Sequence, residues 1–278
     1  MSGMSPEVLE KVDVLKNILK EMGSLVIGMS GGVDSVLLSY LASQVLGVRA
    51  LAVTADSPSL PRRELAETVR LAEKFGFKHQ LIRTAEVSDP RYSANPVDRC
   101  YFCKNELFDH LDEIAQKGNF RWVCYGENVD DQSDHRPGGI AAQEHQVRAP
   151  LKEAGLTKAD IRTLAQHFGL PVWNKPAMAC LASRFPYGTQ ITPEKLAQVE
   201  AAEDFLWDLG FRQYRVRHHG EIARIEVELG EMRELMDRAG EINARLRDIG
   251  FTYIAVDLAG YRRGSMNEGQ ALIKIETH

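Results

Sequence analysis

One junction limits this chain more than any other feature. The apolar run Leu25-Val26-Ile27-Gly28-Met29 breaks at Ser30-Gly31-Gly32, and Asp34-Ser35 then opens a second apolar stretch that reaches Leu46. A short, wholly apolar run closed by glycines reads as a strand buried on both faces, which belongs in a sheet covered by helices. The two glycines let the backbone turn tightly and approach an anion closely. The helix that follows supplies unpaired N–H groups and the positive end of its dipole. Ser30 and Ser35 add hydroxyl donors. No Gly-Lys-Ser/Thr follows, so the common P-loop is excluded.

The same unit recurs along the chain. Ser5-Pro6-Glu7 caps a helix that ends near Gly23. Strands are expected over 48–54, 79–82 and 122–126, and helices over 62–75 and 103–116, with residues 84–98 as a loop holding Pro90 and Pro96. This alternation across 24–126 predicts an α/β fold, a parallel sheet with helices on both faces. Ligands of such sheets bind beyond the C-terminal strand ends, at a topological switch point. Both the glycine pair and Gly126 follow expected strands. A helix over 157–168 and an irregular connector over 171–191 come next. From Thr192 the style changes to a small C-terminal α+β domain, with helices over 192–210 and 231–249 and strands near 214–216, 222–227 and 251–256. The expected division is 1–175 and 176–278.

The net charge of -5, from 34 basic and 39 acidic residues, is not that of a protein that grips nucleic acid through its global field. Four cysteines are too few for a disulfide framework in 278 residues. Met1-Ser2-Gly3-Met4-Ser5-Pro6-Glu7 is no signal peptide, and no apolar run approaches the ~18 residues of a membrane span. A cytoplasmic protein without membrane or nucleic-acid partners is expected. There, paired cysteines point to metal or redox chemistry.

Three segments carry that chemistry. Gly126-Glu127-Asn128-Val129-Asp130-Asp131 through Asp134-His135-Arg136-Pro137-Gly138 places carboxylates after a strand end, where they suit Mg²⁺ beside nucleotide phosphates. Cys100-Tyr101-Phe102-Cys103 is a C-x-x-C at a helix start, flanked by Arg99 and Lys104, which favours thiolate. It suits a redox pair, zinc or part of an iron–sulfur site. Cys180 lies on the connector between Lys175 and Arg184, and Cys124 falls inside a strand as a core residue. Arg215 and Arg217 share one face of a strand, a pairing that suits phosphate or carboxylate. His218 and His219 are adjacent on that strand and face opposite ways, so no metal is expected there.

Ser30-Gly31-Gly32-Val33-Asp34-Ser35 in its strand–loop–helix setting resembles the PP-loop of ATP pyrophosphatases, which hold pyrophosphate there and transfer AMP. With the Gly126–Gly138 block, Cys180-Leu181-Ala182-Ser183-Arg184, Pro186-Tyr187-Gly188 and Arg215-Val216-Arg217-His218, nearly the whole chain resembles the LarE family of ATP-dependent sulfur transferases in nickel-pincer cofactor biosynthesis. That resemblance implies a PP-loop ATPase fold of the adenine nucleotide alpha hydrolase type. It implies ATP at Ser30, Gly31, Gly32, Asp34, Ser35 and Gly126, with Mg²⁺. It also implies a pyridinium dicarboxylate mononucleotide whose phosphate is held by Ser183, Arg184, Arg215 and Arg217. Asp34 and Cys180 become the catalytic candidates.

The added Cys100 and Cys103 resemble the branch in which three cysteines, here Cys100, Cys103 and Cys180, carry a [4Fe–4S] cluster fed by a sulfide donor. Sacrificial sulfur donation from Cys180 is the alternative, and a tRNA-thiolating PP-loop enzyme is the nearest rival. An amidating synthetase and a zinc-stabilised nucleotide-binding protein are the others. The resemblance further implies a homo-oligomer, with a hexamer as one option.

Overall fold

The computed structural model of the chain describes residues 5–133, 137–176, 179–262 and 264–266. Helix α1 (Pro6–Met22) starts where the Ser5 hydroxyl accepts the Val8 N–H, and Val8, Val12, Leu15, Leu19 and Met22 give it one buried stripe. There follow β1 (Leu25–Gly28), α2 (Val33–Leu46), β2 (Ala50–Asp56), α3 (Arg62–Phe75), β3 (His79–Arg83), a short α4 (Pro90–Ser93), α5 (Arg99–Gly118) and β4 (Trp122–Tyr125). Helices α6 (Pro137–Glu144), α7 (Pro150–Glu153) and α8 (Lys158–His167) come next.

The first sheet is parallel throughout, in the order β3-β2-β1-β4. Successive side chains alternate between two cores. Leu25, Ile27, Ala50, Ala52 and Cys124 pack with α1, α2 and α8, whereas Val26, Val53 and Val123 pack with Phe108 and Leu111 of α5 and Ala141 of α6. This is the expected α/β sheet with helices on both faces. Strand order reverses at β1, between β2 and β4, so the segments leaving β1 and β4 meet at a switch point.

After the connector come α9 (Pro193–Asp208), β5 (Tyr214–His219), β6 (Ile222–Val227), α10 (Met232–Asp237), α11 (Ala239–Asp248) and β7 (Tyr253–Val256). Strand β5 pairs antiparallel with β6, and β6 pairs parallel with β7, giving the mixed sheet of a small α+β domain. Its core gathers Ala202, Leu206, Phe211, Val216, Ile225, Leu246 and Phe251.

Some boundaries differ from expectation. Helix α5 begins at Arg99, so both cysteines of the C-x-x-C lie inside it. The helix expected over 231–249 is interrupted at Arg238 (φ -102°, ψ 13°), beside Gly240, which lowers helix propensity. The expected loop over 84–98 contains α4, started by an Asp89 side chain that accepts the Arg91 N–H.

The chain gathers into two units, one within residues 1–88 and 98–178, the other within 89–97 and 179–278. Asn95 ties the short segment into the second unit. It is fully buried with φ 55°, its side-chain amide donates to the Pro186 carbonyl at 2.7 Å, and its carbonyl accepts the Gly188 N–H at 2.9 Å. No helix among the described residues is long and apolar enough to cross a membrane.

Candidate active site

In the first unit the β1–α2 loop is held from inside. The Ser30 N–H donates to Ser35 Oγ at 3.1 Å, and that hydroxyl donates to the Gly32 carbonyl at 3.1 Å. Gly31 has φ 79°, and a Cβ there would sit 2.3 Å from Thr68 Oγ1. Only glycine fits. Gly32 caps α2 with no side-chain hydrogen bond, so no cap side chain takes up the first-turn amides of the helix. Behind the loop, Thr54 Oγ1 donates to the Met29 carbonyl at 2.7 Å and meets His79 Nε2 at 2.8 Å. Burial lowers the His79 pKa.

The segment after β4 closes on this loop. Gly126 packs against the backbone of Asp34 and Ser35. Asn128, almost wholly buried, donates from Nδ2 to Asp34 Oδ1 at 3.0 Å and to Asp131 Oδ2 at 2.9 Å. Lys158 pairs its ammonium with Asp34 Oδ2, and its backbone N–H donates to Asp130 Oδ2 at 2.7 Å. Ser30, Gly31, Gly32, Asp34, Ser35 and Gly126 therefore converge, with Asp130 and Asp131 beside them. Asp134, His135 and Arg136 lie outside the described residues.

Sequence reasoning missed Lys158 and the bridging role of Asn128. The capping box between Thr157 and Asp160 puts Lys158 at the first position of α8, which is the legible part of its placement. Oxygen ligands from one or two carboxylates plus phosphates are what Mg²⁺ takes. Asp34 and Asp131 are carboxylates of that type, bridged by one amide, with the second oxygen of Asp34 paired to Lys158.

In the second unit Arg184 is fully buried. Its Nε and Nη2 reach the two carboxylate oxygens of Glu203, each at 2.9 Å. Its Nη1 donates to the Ala179 carbonyl at 2.8 Å, the Cys180 carbonyl at 3.1 Å and Ser183 Oγ at 2.9 Å. Burial works against this cation, but Glu203 outweighs it and holds Arg184 above its ordinary pKa. Arg217 donates to the Ser183 carbonyl at 3.0 Å, to Glu226 Oε2 at 2.7 Å and to Ser265 Oγ at 3.0 Å.

Arg215 differs. It packs over the Tyr261 ring at 5.1 Å, and among the described residues no carboxylate lies within ion-pair distance of it. Burial, followed by the charge of Arg184, lowers its pKa. A buried guanidinium stays protonated, so Arg215 is the least compensated cation of the three. His218 projects to the opposite side of β5, between the rings of Phe185 (4.9 Å) and Phe251 (5.6 Å), with Nε2 3.3 Å from Gln198.

The cysteines divide by exposure. Cys124 is buried, and burial pushes its thiol far above the usual range. Cys100 is exposed and Cys103 half-buried on the first turns of α5, where three-residue spacing puts them on one side of the helix. Cys180 is half-buried and heads the turn Leu181–Arg184. Cys100 and Cys103 belong to the first unit and Cys180 to the second. Among the described residues no group of three or more His, Cys, Asp and Glu is placed to hold a metal. Thiols are the donor type that an iron–sulfur group takes.

A parallel sheet carrying Ser-Gly-Gly-Val-Asp-Ser at its switch point defines a PP-loop, ATP-dependent enzyme, and the NAD synthase family profile matches residues 7–95. The chain belongs to the family of pyridinium-3,5-bisthiocarboxylic acid mononucleotide synthase, the LarE family. It is 38% identical to the synthase of that name from Lactiplantibacillus plantarum, over 90% of this chain and 91% of the relative. An uncharacterized protein of Synechocystis sp. is 43% identical over 92% of this chain and 97% of its own. Another, from Methanocaldococcus jannaschii, is 30% identical over 91% of this chain and 98% of its own.

Proposed function

We propose that this enzyme adenylates the carboxylates of pyridinium-3,5-biscarboxylic acid mononucleotide and converts them to thiocarboxylates for a nickel-pincer cofactor. The observation that carries this is the likeness, over nine-tenths of the chain, to a synthase named for the bisthiocarboxylate product. The residues supply a route. A carboxylate oxygen of the substrate attacks the α-phosphorus of ATP, and pyrophosphate leaves with the bonding electrons. The amides of Gly31–Ser35 receive the negative charge of that leaving group. Mg²⁺ held by Asp34 and Asp131 would neutralise further charge there. A sulfur nucleophile then adds to the carbonyl carbon, AMP departs, and a thiocarboxylate remains.

Arg215, the least compensated cation, takes the substrate's phosphate, with Ser183 and Arg217 beside it. In this reading the PP-loop domain of residues 1–175 activates the substrate and residues 176–278 hold it and pass sulfur to it. Cys100, Cys103 and Cys180 would ligate a [4Fe–4S] cluster, whose open iron supplies a place for sulfide from a donor. The assembly is a homo-oligomer. Sacrificial donation is the second reading, supported by the partly exposed Cys180 at the head of its own turn. It would leave dehydroalanine at that position.

Product mass with ATP and the dicarboxylate mononucleotide tests the reaction, and a mass unchanged by sulfur refutes it. Iron and acid-labile sulfide in anaerobically purified protein support the cluster. Their absence, with loss of H₂S from the Cys180 peptide after turnover, supports the sacrificial route. Tight tRNA binding at moderate salt would refute the substrate choice.

A further inference from the structure

We propose that the buried Arg184–Glu203 ion pair is a positioning device: it fixes the Cys180–Ser183 turn to strand β5 and aims the Ser183 hydroxyl proton outward as a donor to the substrate's phosphate. The inference rests on the reading of Cys180, Ser183 and Arg215 as the sulfur-transfer site. It gives Arg184 a role without direct contact to the phosphate.

The geometry argues in three steps. First, a guanidinium can only donate, so at 2.9 Å from Arg184 Nη1 the Ser183 oxygen is the acceptor. The serine's own proton therefore points away from Arg184. Second, Nη1 also donates to the carbonyls of Ala179 and Cys180, so one planar group sets the backbone on both sides of the cysteine. Third, Glu203 Oε1 accepts the Val216 N–H at 3.0 Å as well as the Arg184 Nε–H. Val216 stands between Arg215 and Arg217, so the same carboxylate holds the strand that carries both.

Stability alone does not account for the pair. Glu203 interrupts the apolar stripe Leu196, Val199, Ala202 and Leu206 of α9. A buried ion pair is often no more stabilising than two packed apolar side chains of similar volume. What an apolar pair would lack is the set of directed bonds to the Cys180 turn and to β5.

The test uses the full chain and two variants, the apolar pair Arg184→Met/Glu203→Leu and the near-isosteric Glu203→Gln. Unfolding temperature, KM for the mononucleotide, kcat and the alkylation rate of Cys180 by iodoacetamide, followed by peptide mass spectrometry, are measured on each. Folded variants are expected to show a KM raised about tenfold or more and a Cys180 alkylation rate changed severalfold. Adding Ser183→Ala to the apolar pair should then raise KM less than about twofold, because the pair acts through that hydroxyl. A folded variant with wild-type KM and alkylation rate overturns the proposal. So do fully multiplicative KM effects with Ser183→Ala, or failure of both variants to fold, which would make the pair purely structural. The alkylation measurement needs no substrate. It stays decisive even where wild-type protein fails to turn over the mononucleotide: that result would refute the function and the phosphate contact, while the alkylation rate would still decide whether the pair anchors the Cys180 turn.

Discussion

Gly126→Ala is the sharpest probe of how the β4 exit supports the phosphate loop. A Cβ at Gly126 would stand 2.7 Å from the Ser35 amide nitrogen, 2.9 Å from the Ser35 Cα and 3.1 Å from the Asp34 carbonyl carbon. All three atoms are backbone in the first turn of α2, so no side-chain rotation relieves the clash. Restoring an ordinary 3.4 Å contact moves the two segments apart by about 0.7 Å, the difference between 3.4 and 2.7. Overpacking of this kind costs about 1–3 kcal/mol, and each kcal/mol lowers Tm by roughly 2–4 °C in a protein of this size. The displaced amide is one that the proposed function assigns to pyrophosphate, and misplacement near 1 Å can cost about 100-fold in rate. Differential scanning calorimetry should show the lower Tm, and ATP–pyrophosphate exchange should fall about 10–100-fold. Gly139→Ala is the control, since a Cβ there meets nothing within 4 Å. It should keep the exchange rate and raise stability by up to ~1 kcal/mol, as alanine does in a helix. Wild-type Tm and exchange in Gly126→Ala would refute the wedge.

Lys158→Met should change stability by under ~1 kcal/mol, as for other partly exposed ion pairs, yet weaken ATP binding by calorimetric titration; unchanged affinity would remove Lys158 from the site. In folded, cluster-free protein Cys124 should resist maleimide while Cys100, Cys103 and Cys180 react, because burial disfavours its thiolate. Peptide mass spectrometry decides this, and equal labelling contradicts the burial. His218 and His219 have folded pKa values lowered first by burial, then by Lys195 for His218 and by Arg224 for His219. They are neutral when folded but take up protons on unfolding once pH drops below ~6.5. Their contribution is therefore fully present above ~6.5 and is lost as pH falls through the lowered folded values, at up to about 1.4 kcal/mol per pH unit for each proton. Urea unfolding should give lower stability at pH 5.5 than at 7.5, with His218→Phe flattening the difference; an unaltered pH slope in that variant would refute the assignment.

The phosphate loop and the sheet around it were legible because every signal there is local. An apolar run, a glycine pair and a helix start lie within one stretch of sequence, and the alternation of strand and helix repeats it. The arginines were legible as a group but not as individuals. Arg184, Arg215 and Arg217 look alike in sequence, and what separates them is Glu203 and Glu226, which reach them from α9 and β6. Glu203 did leave a trace, a carboxylate on an otherwise apolar helix stripe. Lys158 left less, since a lysine at a helix start reads as solvated until the fold sets Asp34 opposite it. The fate of residues 89–97 was hidden for a different reason. Asn95 is 91 residues from Pro186, and no local pattern reports a bond of that span.

That long bond has a consequence for how the protein is made. The 89–97 segment leaves the ribosome well before the residues that bury it. Synthesis at about 5–20 residues per second puts Pro186 roughly 5–20 s behind Asn95. Through that interval the residues that fix the left-handed backbone of Asn95, Pro186 and Gly188, have yet to be made. Strands β1, β2 and β3, all encoded earlier, can pair in the meantime. The second unit therefore begins its life as a waiting fragment inside the first. A nascent chain stalled before Phe185 would display that fragment to proteases, and a swap of the loop-bearing unit into another protein would carry with it a piece that belongs elsewhere.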